Sequence, residues 1–178
     1  MRYILLVLGL TLSLISSEYT TQLNKLTKEQ QEVLKYTIAQ GKQNNLGYLL
    51  AAIAWKESNL GLWQTNLSDG KYGSYGIYHN LLEYYINNQK KSNNSWNRSR
   101  LAEQLLFDRT EATRYTVELL TYWMSYYKTD YLDHRVIKSY NGGYKIASKQ
   151  VINYYNDITK RIDALTKKYG SLQELAVK

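Results

Sequence analysis

The residue whose setting most suggests chemistry is Glu57. Leu46, Leu49, Leu50, Ile53 and Leu60 recur at helical spacing. At ~100° per residue Glu57 projects into the middle of the arc they define. The sequence therefore expects a carboxylate on a buried face of a helix running from about Leu46 to Asn59. Ile53 and Gly61 stand four residues to either side of it and Lys56 points elsewhere, so no ordinary ion pair along the helix surface serves it. Apolar burial disfavours the charged form of a carboxyl group and raises its pKa, as a general acid working near neutrality requires. Two structural alternatives stand beside this one: fraying could turn Glu57 to solvent, or a distant Arg could neutralise it.

The segment after Glu57 carries Gly61, Gly70, Gly73 and Gly76. Glycines at 70, 73 and 76 allow backbone to approach a ligand, and Tyr72, Tyr75 and Tyr78 between them offer faces on which a sugar could stack. Asp69-Gly70 reads as a tight turn, with Asp69 as a second carboxylate only in the rival reading given below. Farther on, Tyr140-Asn141-Gly142-Gly143 ends a helix with a hydroxyl and an amide beside a flexible turn. The chain has no Cys and two His, His79 and His134, on separate segments. Disulfides, thiol catalysis and Cys-based zinc sites are thereby excluded; a closed zinc site would have to be completed by carboxylates, and neither a metal nor a cofactor is expected. Of the two, His79 is the better placed to touch a ligand, because it follows the glycine loop.

These groups need a scaffold, and its period is 3.6 almost throughout. Thr27 and Gln30 form a capping box, Val33, Leu34 and Ile38 share a face, and Gly41 ends the first helix. Asn45 is the expected N-cap of the Glu57 helix and Gly61 its stop. A short helix over Leu81 to Gln89 precedes a polar loop, Lys90 to Ser99. Helices then follow over Arg100 to Phe107, over Glu111 to Tyr127 with Ala112, Tyr115, Leu119, Tyr122 or Trp123, and Tyr126 along one side, and over Asp133 to Tyr140. The last long helix carries Val151, Tyr155, Ile158, Ile162 and Leu165. One all-α domain over 18–170 is the expectation, with 171–178 as a tail. At 178 residues, 44% hydrophobic, the chain can bury a core.

Residues 1–17 read as a secretory signal peptide: Arg2 is basic, Ile4 to Ile15 is mostly apolar, and Ser16-Ser17 precedes Glu18. The alternative is an uncleaved membrane anchor, the only form in which a membrane contact is expected. The formal charge of +8 falls to +7 with loss of Arg2, so the exported domain is basic and suits a polyanionic partner. Lys and Arg are dispersed, which argues against nucleic acid. With 19 Tyr and 4 Trp against one Phe, the aromatic residues are amphipathic ones that suit sugar rings, although an AT-rich coding sequence that puts Tyr in place of Phe accounts for the excess as a whole equally simply.

Together these segments resemble the lytic transglycosylases of the soluble-lysozyme-like type, which have a goose-type lysozyme fold. Glu57-Ser58 matches the family's E-S pair at a helix end. Gly76-Ile77-Tyr78-His79, preceded by Gly73-Ser74-Tyr75, matches its G-L-M-Q segment, and Ser139-Tyr140-Asn141-Gly142-Gly143 matches its A-Y-N-x-G segment. Tyr154 corresponds to a later family aromatic. Leu106-Phe107-Asp108, with Ala112 and Tyr115, resembles the approach to the central helix. Tyr78 for Met and His79 for Gln are departures. The resemblance covers about Leu46 to Leu165, with the three segments in the family's order.

What the resemblance implies is a lysozyme-like domain with a glycan-binding cleft, and cleavage of the β-1,4 bond between N-acetylmuramic acid and N-acetylglucosamine in peptidoglycan. Glu57 would be the catalytic acid, then base, and the product a 1,6-anhydro end formed without water. Tyr140 would hold Glu57 or the reacting sugar. Ser58, Ser74, Tyr75, Gly76, Tyr78, His79, Asn141 and Tyr154 would bind the glycan or shape the cleft. A monomer in the periplasm or secreted outside the cell is expected, acting on peptidoglycan strands alone or for a secretion or conjugation apparatus. The rival readings are a lysozyme-type hydrolase with Asp69 as second carboxylate, and a non-catalytic wall-binding or secretion-scaffold protein.

Overall fold

Helix starts follow the side-chain chemistry of the sequence closely. In the computed structural model, which describes residues 18–42 and 45–170, Thr27 accepts from the Gln30 amide at 3.3 Å and the Gln30 side chain accepts from the Thr27 amide at 3.0 Å. This reciprocal cap opens α2 (Lys28–Gly41), which follows the short helical segment α1 over 18–24. Both the proposed signal peptide, 1–17, and the tail, 171–178, lie outside the described residues.

The Glu57 helix, α3 (Gly47–Ser58), is the centre of the core and lies between α2 and α8 (Lys149–Tyr169). Every residue from Gly47 to Trp55 is buried, so α3 has no solvent side along most of its length. Ala51, Ala52 and Ala54 keep it thin enough for neighbours to close on all faces, while Leu49, Leu50 and Ile53 supply the larger apolar volume. Its boundaries differ from expectation. Asn45 is not its cap: Leu46 precedes the first turn without any side-chain cap, and Asn45 takes a left-handed turn residue's conformation, φ 56°. At the other end Asn59 and Leu60, not Gly61 alone, adopt left-handed conformations, φ 51° and 56°, and terminate the helix.

The glycine loop departs from a purely helical plan. It folds as an antiparallel sheet in the order β1-β2-β3, with β1 (Thr65–Asn66), β2 (Ser74–Tyr75) and β3 (Asn80–Leu81). Thr65 pairs with Tyr75 and Tyr75 with Asn80. The structure is nonetheless mostly helical, at 68%. After β3 come α4 (Leu82–Asn88), α5 (Ser95–Phe107), α6 (Arg109–Tyr127) and α7 (His134–Gly142). Helix α5 starts earlier than expected because Asn94 accepts from the Asn97 amide at 2.9 Å and caps it inside the supposed loop. Helix α7 runs through Asn141 and Gly142, ending at Gly143.

Helix α6 packs on α7, α7 on α8, and α5 on α4, α6 and β2. Helix α8 buries Tyr154, with Tyr155 only partly covered. Helix α1 is held by a charged and aromatic knot: Arg161 lies over the rings of Trp55 at 4.6 Å and Tyr19 at 5.1 Å, and Asp157 pairs with Lys56 at 2.8 Å and accepts from the Tyr19 hydroxyl. No described helix is long and apolar enough to cross a membrane.

Gly76 is where the sheet presses on the helical layer. Its φ is +80°, and a Cβ there would stand 2.3 Å from the Leu105 carbonyl oxygen. Gly143 has φ +57° with open space around it. Gly76→Ala is expected to cost about 2–4 kcal/mol in urea unfolding, from backbone strain plus the clash, whereas Gly143→Ala should cost only about 1 kcal/mol from strain alone.

Candidate functional site

Glu57 is the point at which α3 emerges from the core. Its side chain is 17% exposed and opens into a cleft of about 410 Å³. One wall is the end of α7 with Ser139, Tyr140, Asn141 and Gly142, the floor is His79, Asn80 and Leu81, and the far wall comes from α6. Asp69 also borders this cleft. A larger groove of about 510 Å³, between α1, α2 and the end of α8, is lined by Leu23, Leu34, Ile38 and Tyr169 and offers lysines and amides but no carboxylate or imidazole for acid-base work.

The niche around Glu57 differs from the apolar one expected. It is built from an imidazole and two phenols. His79 Nδ1 stands 3.6 Å from Glu57 Oε2, so the carboxylate has an ionisable neighbour. The other ring nitrogen, Nε2, is 2.7 Å from the Trp63 carbonyl oxygen. Burial acts to lower the His79 pKa, but the Glu57 carboxylate, the Trp63 carbonyl and the charges of Glu57 and Asp69 outweigh it and hold the imidazole above its ordinary value. Tyr154 lies against Glu57 from α8; burial first, and the Glu57 charge second, push its phenol well above the ordinary value. Its hydroxyl is buried without a hydrogen-bond partner among the described residues. Tyr140 is shifted the same way by the same two causes, so both phenols remain neutral donors.

Several expected ligand contacts turn out to be scaffold. Ser58 is fully buried: its hydroxyl lies 3.0 Å from the Ala54 carbonyl and 2.8 Å from the Ile77 carbonyl, and accepts from the Gly61 amide at 2.9 Å. It ties the end of α3 to the glycine loop and cannot reach a glycan. Ser74 and Tyr78 are likewise fully buried, and Gly76 packs on α5. Tyr75 is partly buried in β2 against the core and does not line the cleft. Tyr72 turns away as well, under Arg98 and Lys71. Tyr140 donates to the Tyr78 carbonyl at 2.8 Å, so its hydroxyl fixes the residue before His79 and does not hold Glu57. Glu57, His79, Tyr140 and Asn141 do converge on the cleft, and Tyr154 joins Glu57 in an adjoining depression with Lys56 and Lys149. His134 is exposed beside Tyr155, outside the cleft lining.

The aromatic wall was not legible as such. Tyr115, Tyr122, Trp123 and Tyr144 line the cleft; Tyr122 is 48% and Tyr144 65% exposed, and their hydroxyls lie 2.7 Å apart. Tyr122 and Tyr126 are near-parallel at 6.3 Å, with Trp123 buried beneath. Asn80, whose amide donates to Ala112 O at 3.1 Å and whose carbonyl accepts from Thr116 at 3.0 Å, joins the floor to α6. The signal for this wall lies in Tyr122-Trp123 and Tyr126-Tyr127, read with Tyr144 just beyond the two glycines.

No family model matches the chain, and no solved structure matches it. Over 124 residues it is 27% identical to an uncharacterized 20.7 kDa protein in the vs-regB intergenic region of Enterobacteria phage T4. The match takes in 69% of this chain and 64% of the phage protein, so it spans less than two thirds of that relative's length. The phage protein's name states no activity.

Ser58 and Asn141 differ in how much of the fold rests on them. Ser58→Ala should lower unfolding free energy by about 1–3 kcal/mol, because the Ile77 carbonyl and the Gly61 amide lose their partner. Asn141→Ala, at an exposed position on the cleft wall, should change it by less than about 0.5 kcal/mol. Denaturant unfolding measures both.

Proposed function

We propose that this protein is a peptidoglycan lytic transglycosylase with a lysozyme-like domain, exported to the periplasm or beyond. The observation that carries the reading is the position of Glu57: a carboxyl group near the tip of a helix buried from Gly47 to Trp55, opening into a cleft walled by tyrosines. Amphipathic rings with exposed hydroxyls suit a sugar polymer, which needs both a stacking face and hydrogen bonds. The net charge of +8 favours an anionic polymer such as the wall. The segment resemblance supplies the reaction.

In that reaction Glu57, protonated, gives its proton to the bridging glycosidic oxygen as the C1–O bond breaks, and the substrate's own acetamido group supports the charge developing at C1. The carboxylate then takes the proton of the muramyl C6 hydroxyl while that oxygen closes on C1. Water is not a reactant, and one carboxyl group serves both halves, unlike the usual glycosidase pair. Asn141 and the Tyr122–Tyr144 shelf would contact glycan substituents, and Tyr154, whose hydroxyl lies beside the acid, would keep the carboxylate oriented.

A second reading has a specific observation behind it. Asp69 borders the same cleft as Glu57, so a water placed by Asp69 could give hydrolysis.

Mass spectrometry of muropeptides released by the purified protein should show 1,6-anhydro ends. New reducing ends, lost on Asp69→Asn, would establish the hydrolase instead. Glu57→Gln should reduce release by at least about 100-fold while binding to cell walls persists; undiminished cleavage would remove Glu57 from its role.

A further inference from the structure

Glu57 shares its site with one group that can exchange a proton at neutral pH. We infer that His79 and Glu57 form a proton-sharing unit in which His79 holds the proton that Glu57 delivers. His79 is then a positioning residue for the acid; where the proton goes rests on the transglycosylase reading, whereas the existence of the pair does not.

Hydrogen-bond chemistry fixes the direction of exchange. A backbone carbonyl only accepts, so the 2.7 Å contact with Trp63 O requires a hydrogen on His79 Nε2. Nδ1 is left as the ring position that gains or loses a proton, and it is the atom that faces Glu57 Oε2 at 3.6 Å. That separation exceeds a hydrogen bond and needs a closure of under ~1 Å, the kind of looseness usual in sites without substrate. The ring is 10% exposed and the carboxylate 17%, so neither exchanges freely with bulk water.

The backbone argues the same way. His79 has φ 48°, a left-handed conformation that costs an L-residue about 1–2 kcal/mol. It is sustained by bonds on both sides: the His79 amide donates to Gly76 O at 3.1 Å, and Tyr140 donates to Tyr78 O at 2.8 Å. Glycine would adopt this conformation without cost. Strain held at a residue whose ring is fixed against an acid points to a role for the ring.

The other charged groups around the pair do not supply the proton. Asp69 adds negative charge from the loop between β1 and β2. Tyr140 on α7 and Tyr154 on α8 stay neutral phenols. Lys56 is paired with Asp157 at 2.8 Å, and Lys149 borders the depression on the α8 side. With the imidazole held above its ordinary value, a proton rests on Nδ1, facing Glu57, more readily than on a free imidazole. A glycan filling the cleft removes water, which costs an ion pair more than a neutral pair. The Nδ1–H bond then breaks as the Oε2–H bond forms, leaving neutral imidazole and the carboxylic acid. Glu57 passes that proton to the bridging oxygen, and the proton it takes from the C6 hydroxyl restores the count.

The pair also has a stability signature. Because the native pKa of His79 lies above the unfolded value, the stabilisation is fully present below about pH 6.5 and is lost as pH rises through the native value.

The test is NMR titration of the imidazole nitrogens, with His134→Asn assigning the second ring, alongside pH profiles of kcat/KM on peptidoglycan. In the unmodified protein His79 should titrate above about 6.5, and in Glu57→Gln about one unit or more lower, since burial then acts without the carboxylate. His79→Gln should move the alkaline limb of kcat/KM about one unit toward acid and lower kcat at neutral pH about tenfold; His79→Asn, better suited to left-handed backbone, should behave alike. An unchanged His79 titration in Glu57→Gln overturns the inference. So does a His79 variant that raises KM alone with the pH profile intact. Coupled titration in a protein that cleaves no peptidoglycan upholds the pair and removes the transglycosylase reading.

Discussion

One buried hydroxyl, that of Ser58, joins the two parts from which the cleft floor is made. It reaches back into the last turn of α3, across to the Ile77 carbonyl and out to the Gly61 amide. Glu57 precedes it by one residue on the helix, and His79 follows Ile77 by two on the loop. The distance between acid and imidazole therefore depends on a bond neither of them makes. A net hydrogen bond contributes only about 1 kcal/mol, but an orphaned buried carbonyl costs more, so the joint resists opening. Tyr140 repeats the device from α7 by holding the Tyr78 carbonyl, and the Trp63 carbonyl completes it from the turn after α3.

The parts of the fold legible in the sequence are those decided within a few residues. Thr27 and Gln30 cap α2 through atoms three positions apart, and Val33, Leu34 and Ile38 are buried where a 3.6 period puts them. The sheet left no trace because strands of two residues are too short to display an alternation of period two. Asn94 was hidden in a polar run, where a cap and a loop residue look alike. Helix α7 outlasted its expected end because Asn141 and Gly142 can be helical when packed, whatever their usual preference.

The apolar arc that singles out Glu57 describes its helix only in part. The arc of Leu46, Leu49, Leu50 and Ile53 is buried, but so is the opposite side with Tyr48, Ala52 and Trp55, and a hydrophobic arc loses its meaning on a helix covered all round. What distinguishes Glu57 is its place at the helix end. Its surroundings were beyond the reach of sequence because Tyr154, His79 and Tyr140 come from three distant segments. The segments picked out by the motif match meet around one cleft, but several residues expected at the substrate, Ser58, Ser74, Gly76 and Tyr78 among them, serve as struts in the packing.

A helix enclosed on every side has consequences for how such a molecule can change. Helix α3 is a rod driven through the interior, and the stretch that holds the chain together is separate from the tip that meets solvent. Replacing the tip residue alters the chemistry offered to the crevice without loosening the shaft, so a single codon can change one while sparing the other. Descendants of one ancestor with this architecture would then diverge in chemistry while keeping the same silhouette.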